Sequence, residues 1–155
     1  DANGALDEET TRRAFEGLYP HRIELLEQPV AAGDVEALAR LRDAAPMRIA
    51  ADEAVDSPDC LERVLELHAA DFVVLKPMFL GGLRPAIAIA ERAAERGIGA
   101  FATTTFDSSI GIAAALQLAA AFCHHRHHHQ QMPATGRWLT AETCPPAPLA
   151  AESPL

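Results

Sequence analysis

The sequence predicts an α/β fold of parallel strands, part of a (β/α) barrel over residues 1–140, followed by a proline-rich extended tail at 141–155. Short apolar runs alternate with helical stretches of 10–15 residues, the pattern of parallel βαβ units. Three of those runs end in an ionisable residue, Glu27, Asp52 and Lys76, spaced 25 and 24 residues apart. That repeat is short for an open doubly wound sheet and comfortable for a barrel, and in both architectures the strand ends gather on the face that carries the chemistry.

The elements follow in order. Asp7 is placed to cap a helix running to about Leu18, with Glu8 and Glu9 in its positive first turn. A strand at 22–27 ends before Pro29. Asp34 to Ala44 then repeats apolar residues on one face, at Val35, Leu38, Ala39 and Leu41. After a strand at 47–52, Ser57-Pro58 opens a helix through His68, serine as cap and proline at the first helical position. The strand at 72–76 leads through Gly81-Gly82 into a helix from about Arg84 to Arg96, which Gly97 stops. Ile98 to Thr104 reads as a fourth strand, and Ser108/Ser109 cap an apolar helix to Phe122. Beyond it the periodicity fails. The run Cys123 to His129 reads as a solvated histidine-rich loop able to take a transition metal adventitiously, because no carboxylate or thiolate stands at ligand spacing.

Composition narrows the function. With 155 residues, 49% of them hydrophobic, the chain can bury one sizeable core. A net charge of -9 without a basic stripe argues against nucleic acid. Cys60, Cys123 and Cys144 are odd in number and widely spaced, which suggests reduced thiols and a cytoplasmic setting. No apolar run approaches the ~20 residues needed to span a bilayer, and no signal peptide is evident. The chain opens on Asp1 without a preceding strand and closes in prolines, so a piece of a longer enzyme is expected.

One lysine, Lys76, stands against twelve arginines, and it follows the apolar run Phe72-Val73-Val74-Leu75. If Asp1 joins Glu27 and Asp52 at the strand ends, three carboxylates crowd together, and at ~4 Å and an effective dielectric of ~20 each like-charge pair costs roughly 4 kcal/mol. A divalent cation removes that cost, and an all-oxygen ligand set favours Mg²⁺, with Mn²⁺ as the alternative. Lys76 would face such an ion as a base, an acid or an electrostatic clamp. The bland alternative is a set of strand-end charges that are merely solvated.

Asp1-Ala2-Asn3-Gly4, Leu26-Glu27-Gln28-Pro29, Ala51-Asp52-Glu53 and Leu75-Lys76-Pro77 with Leu80-Gly81-Gly82, in that order, resemble the barrel domain of the enolase superfamily, muconate-lactonizing subgroup. Within it the lysine strand and its glycines are most similar to those of o-succinylbenzoate synthases. Thr103 to Gly111 and Ala134 to Leu139 resemble later turns and strands of the same domain. The resemblance implies Asp1, Glu27 and Asp52 as Mg²⁺ ligands, Asn3 and Glu53 as supporting polar groups behind them, and Lys76 as the catalytic lysine. It implies substrate contacts from Gly81, Gly82, Thr104, Ser108 and Ser109, the two serines at a helix N-terminus suited to an anion.

The implied activity is loss of water from a small-molecule carboxylate through an enediolate, on the route to menaquinone. Other reactions of the subgroup begin with the same proton abstraction: dipeptide epimerisation, N-succinylamino acid racemisation and cycloisomerisation. The family's base belongs to a K-x-K strand placed before Asp1, and its capping domain also precedes this stretch, so these residues alone are expected to turn over little substrate. A non-catalytic α/β domain is the third reading. Self-association into a homo-oligomer is compatible with the sequence.

Overall fold

The computed structural model describes residues 1–56 and 58–125. The histidine run past His125, the segment Ala134 to Thr140 and the tail 141–155 lie outside them. Four parallel strands, β1 (Leu25–Glu27), β2 (Arg48–Ala51), β3 (Phe72–Leu75) and β4 (Gly99–Ala102), pair in sequential order. The helices are α1 (Glu8–Leu18), α2 (Val35–Ala44), α3 (Pro58–Glu66), α4 (Leu83–Glu95) and α5 (Ser109–His125). A sequentially ordered parallel sheet with a helix between each pair of strands is a segment of the expected barrel, and four strands are half of the eight that close one.

Helix starts agree with their capping chemistry. Asp7 accepts from Thr10 N–H at 2.7 Å and Asp34 from Ala37 N–H at 3.1 Å, each satisfying a donor that the helix leaves orphaned. The strands are shorter than expected. β1 begins at Leu25 rather than 22, because Tyr19–His21 form a 3₁₀ turn that hands on to Arg22 in the left-handed region, φ 52°. A strand residue cannot take that conformation. Likewise α3 ends at Glu66 rather than His68, whose φ of 48° breaks the helix.

The main core lies between sheet and helices. Leu38, Leu41, Ile49, Val64, Leu65, Val73, Leu75 and Leu118 are fully buried there, each side chain worth ~1.5–3 kcal/mol relative to exposure. On the other face of the sheet Ala50, Phe72 and Val74 form a smaller cluster with Leu25 and Phe101. Strand residues alternate faces, so Glu27 continues the phase of Leu25, Asp52 that of Ala50, and Lys76 that of Phe72 and Val74. All three charges therefore follow the second face, away from the helices.

The outer surface carries a repeated contact between successive helices. Glu8 of α1 pairs with Arg40 of α2 at 2.8 Å, Glu36 of α2 with Arg63 of α3, and Glu62 of α3 with Arg92 of α4 at 2.8 Å. Among the described residues no helix is long and apolar enough to cross a membrane.

Candidate active site

Register explains how strand ends of different height meet. Glu27 is level with Ala50, Ala50 with Phe72, and Leu75 with Ala102, so Asp52 sits two residues beyond Glu27 and Lys76 two beyond the level of Asp52. A stagger of this kind accompanies strands tilted around a barrel axis, which brings their ends to one rim.

Asp52 is the most enclosed member, only 6% exposed, and it follows β2 as the entry to a 3₁₀ turn over Glu53–Val55. Its Oδ2 accepts a direct ion-paired hydrogen bond from Lys76 Nζ. Lys76 leaves β3 at a tight turn: its carbonyl accepts from Phe79 N–H at 2.9 Å and Leu80 N–H at 3.1 Å. Glu27 is half-buried, and burial pushes its carboxyl above the ordinary value of 4.5; the neighbouring Asp52 adds to the rise, and Lys76 opposes it. The two carboxylates thus repel each other beside one cation, Lys76.

The remaining candidates divide. Asp1 is exposed and held by Asn3, whose backbone N–H and side-chain amide each donate to its carboxylate at 2.9 Å. The chain keeps Asp1 next to β1, since Ala2 N–H donates to the Glu27 carbonyl at 3.0 Å, but its carboxylate is engaged by Asn3. Among the described residues no three His, Cys, Asp or Glu side chains are grouped to hold a metal ion, so the anticipated set of three carboxylates appears here as two carboxylates and an ammonium. Glu53 belongs to the centre: its Oε2 is buried without a hydrogen-bond partner, an orphan oxygen that a cation would satisfy. Glu27, Asp52 and Glu53 offer only oxygen donors, the kind that suits Mg²⁺ or Mn²⁺ better than a soft metal, although the three are not gathered into one three-carboxylate group here.

A cleft of about 160 Å³ opens at this place, lined by the charged Asp52, Glu53 and Lys76 and by the apolar Val74, Phe79 and Leu80. Thr105, not Thr104, reaches it, and Thr105 Oγ donates to Asp107 at 2.5 Å. Gly81 and Gly82 do not line the cleft; with φ of 84° and 119° they form the turn into α4, a backbone role that a side chain would resist. Ser108 and Ser109 are exposed at the start of α5, where Ser108 Oγ accepts from Gly111 N–H at 3.5 Å. Phe79 has no signal in the sequence because it belongs to a loop without periodicity, and Leu80, part of the Leu80-Gly81-Gly82 motif, carries no mark of a lining role. Gln28, which follows Glu27 and is bonded to Asp52 N–H, is buried in this centre, and nothing in the Leu26-Glu27-Gln28-Pro29 motif by itself points to that.

Residues 1–150 match the model of the family described as enolase C-terminal domain-like. The chain is 42% identical over 120 residues to a chloromuconate cycloisomerase of Cupriavidus pinatubonensis, covering 77% of this chain and 32% of that one. It is 40% identical over 121 residues to an o-succinylbenzoate synthase of Thermobifida fusca, covering 78% and 37%. Among solved structures, a dipeptide epimerase from Enterococcus faecalis superposes with a TM-score of 0.75 at 31% identity over 78% of this chain and 35% of that one. The chain spans about a third of the length of the curated relatives it matches, 32% and 37% of these two.

Proposed function

Because the chain belongs to the enolase C-terminal domain-like family, we propose that its strand-end charges serve α-proton abstraction from a small carboxylate substrate, in the dehydration that o-succinylbenzoate synthases perform. The observation that carries this reading is the meeting of Glu27, Asp52 and Lys76 on one face of the sheet, the ammonium directly on the more buried carboxylate. Solvated strand ends have no reason to converge so, and Asp52 at 6% exposure is not solvated.

In this mechanism the α C–H bond breaks, its proton passes to a base expected from the K-x-K strand ahead of Asp1, and the electron pair enters the substrate carboxylate as an enediolate. Lys76 is the group of this chain that meets that charge, and its ammonium is worth most where Val74, Phe79 and Leu80 exclude water. The protonated base then returns that proton to the departing hydroxyl as its C–O bond breaks, so that the enediolate pair forms the new double bond and water leaves. Glu27 and Asp52 are the residues that would hold Mg²⁺, with Asp1 as the third ligand that the family resemblance implies and Glu53 as a supporting group behind them; when bound, the ion would neutralise the substrate carboxylate. With Asp52 so engaged, Lys76 would be free to leave it and meet the substrate.

The cycloisomerase likeness, at an identity similar to the synthase likeness, favours a second reading with the same first step and a different fate for the enediolate. Both are tested by incubating the purified protein, with Mg²⁺, in D₂O with 2-succinyl-6-hydroxy-2,4-cyclohexadiene-1-carboxylate, with muconate and with an Ala-Glu dipeptide. Aromatic product from the first supports dehydration; product or α-deuterium only with the others moves the assignment to cycloisomerisation or epimerisation. Inertness toward all three, in a protein carrying the K-x-K strand, overturns the reading.

A further inference from the structure

Gln28 is completely buried, yet it carries an amide and a left-handed backbone, φ 35°. Every polar atom of its side chain is engaged. Oε1 accepts from Asp52 N–H at 2.9 Å and from Ala54 N–H at 3.2 Å, and Nε2 donates to the Val30 carbonyl at 2.8 Å. Its backbone joins neighbouring segments too, donating to the Ala50 carbonyl at 2.9 Å and accepting from Gly4 N–H at 2.7 Å. The left-handed turn directly after Glu27 allows the side chain to reach across from the end of β1 to the turn after β2.

The two N–H groups it receives belong to the turn that carries Asp52 and Glu53. Asp52 has left the strand conformation, φ -112° and ψ -83°, so the sheet ladder no longer dictates where its carboxylate points. We infer that Gln28 is a positioning residue: its buried amide fixes the Asp52 peptide and thereby holds the Asp52 carboxylate on Lys76 and beside Glu27. A neutral amide suits the place in a way that a carboxylate does not. Glu at this position, when ionised, leaves the Val30 carbonyl without its donor and adds a third negative charge to Glu27 and Asp52. The role rests on the functional reading above only in that it supports the same centre.

Lys76 is the chain's one lysine, so its reactivity reports the geometry of Asp52 without substrate or metal. The test is reductive methylation of the full chain at fixed pH, with Lys76 and the α-amine separated by peptide mapping. Gln28→Met, nearly isosteric but unable to accept from the two N–H groups, should raise the Lys76 rate several-fold while circular dichroism and cooperative unfolding persist. Asp71→Ala serves as the structural control. It removes bonds to Arg42 and to Ile49 N–H at the other end of the sheet, and should lower stability with the Lys76 rate unchanged. A folded Gln28→Met with the parental rate overturns the proposal, as does an equal rise in Asp71→Ala. Should Gln28→Met fail to fold, Gln28→Asn decides, its amide one methylene too short for Asp52 N–H: a faster Lys76 supports the role and an unchanged one overturns it. Because neither metal nor substrate enters, a negative result leaves the assigned reaction standing, and an inert protein with a protected Lys76 defeats only the reaction.

Discussion

The ring of Phe72 lies in the space that a side chain at residue 99 would need: a Cβ on Gly99 would press on Cδ1 at 2.5 Å and meet Cζ at 3.4 Å. The two residues are register partners on adjacent strands, and the ring is held from its other sides by Phe101, centroids 6.2 Å apart, and by Arg48, whose guanidinium stands 5.4 Å over it.

Gly99→Ala should therefore destabilise the fold by ~1–3 kcal/mol, the usual cost of overpacking. Phe72→Leu in the same chain should recover part of it by vacating the space. Urea unfolding of the two single variants and the double variant measures the coupling; additive losses would show that the ring moves aside freely.

Lys76→Ala should lower kcat by at least ~10²-fold with a modest change in KM, because the ammonium acts on charge that exists only along the reaction path. Lys76→Arg should rescue little, since a planar guanidinium does not fit a place sized for an ammonium. Steady-state kinetics on whichever substrate the D₂O assay identifies is the measurement, and near-parental turnover in Lys76→Ala reduces the residue to a strand-end charge.

Mg²⁺ should raise the melting temperature in a concentration-dependent way, as any ligand of the native state does. EDTA should reverse the shift and Asp52→Asn should abolish it. A shift that survives Asp52→Asn places the ion elsewhere.

Acid should weaken the outer surface. Ion pairing to arginine lowers the carboxyls of Glu8, Glu36 and Glu62 below their ordinary 4.5, so their contribution is complete above that value and is lost as pH falls through the depressed ones. Glu27 has the opposite sign: its raised value means that stability declines as pH climbs above 4.5. Thermal melts from pH 3 to 7 should show Glu62→Gln flattening the acid limb and Glu27→Gln flattening the decline above it. Added salt should mimic acid at the exposed pairs; an acid limb unaffected by Glu62→Gln would assign it to other groups.

Much of this was legible before the structure because it is periodic. Apolar spacing located α2, the Asp7 cap and the Gly97 stop marked the start of α1 and the end of α4, and the spacing of the strand-end charges put Glu27, Asp52 and Lys76 at one end of the sheet. What stayed hidden depends on single torsions and side-chain reach. Nothing in the letter Q signals the positive φ of Gln28, since glycine is the residue that normally marks such a turn. Nor does spacing reveal that Asp1 turns to Asn3, an interaction between residues two apart that competes with a longer-range one.

The acid-to-arginine contacts between helices all point the same way along the chain. From α1 to α4, the helices α2 and α3 each offer an arginine to the predecessor and a glutamate to the successor. The junctions therefore share one polarity, like connectors with a plug at one end and a socket at the other. A βα unit inserted or duplicated in the same orientation meets complementary charge on both sides, whereas a unit entering in reverse sets like charges face to face. The bias toward units repeated in one orientation is small per junction, since exposed ion pairs each contribute ~0–1 kcal/mol.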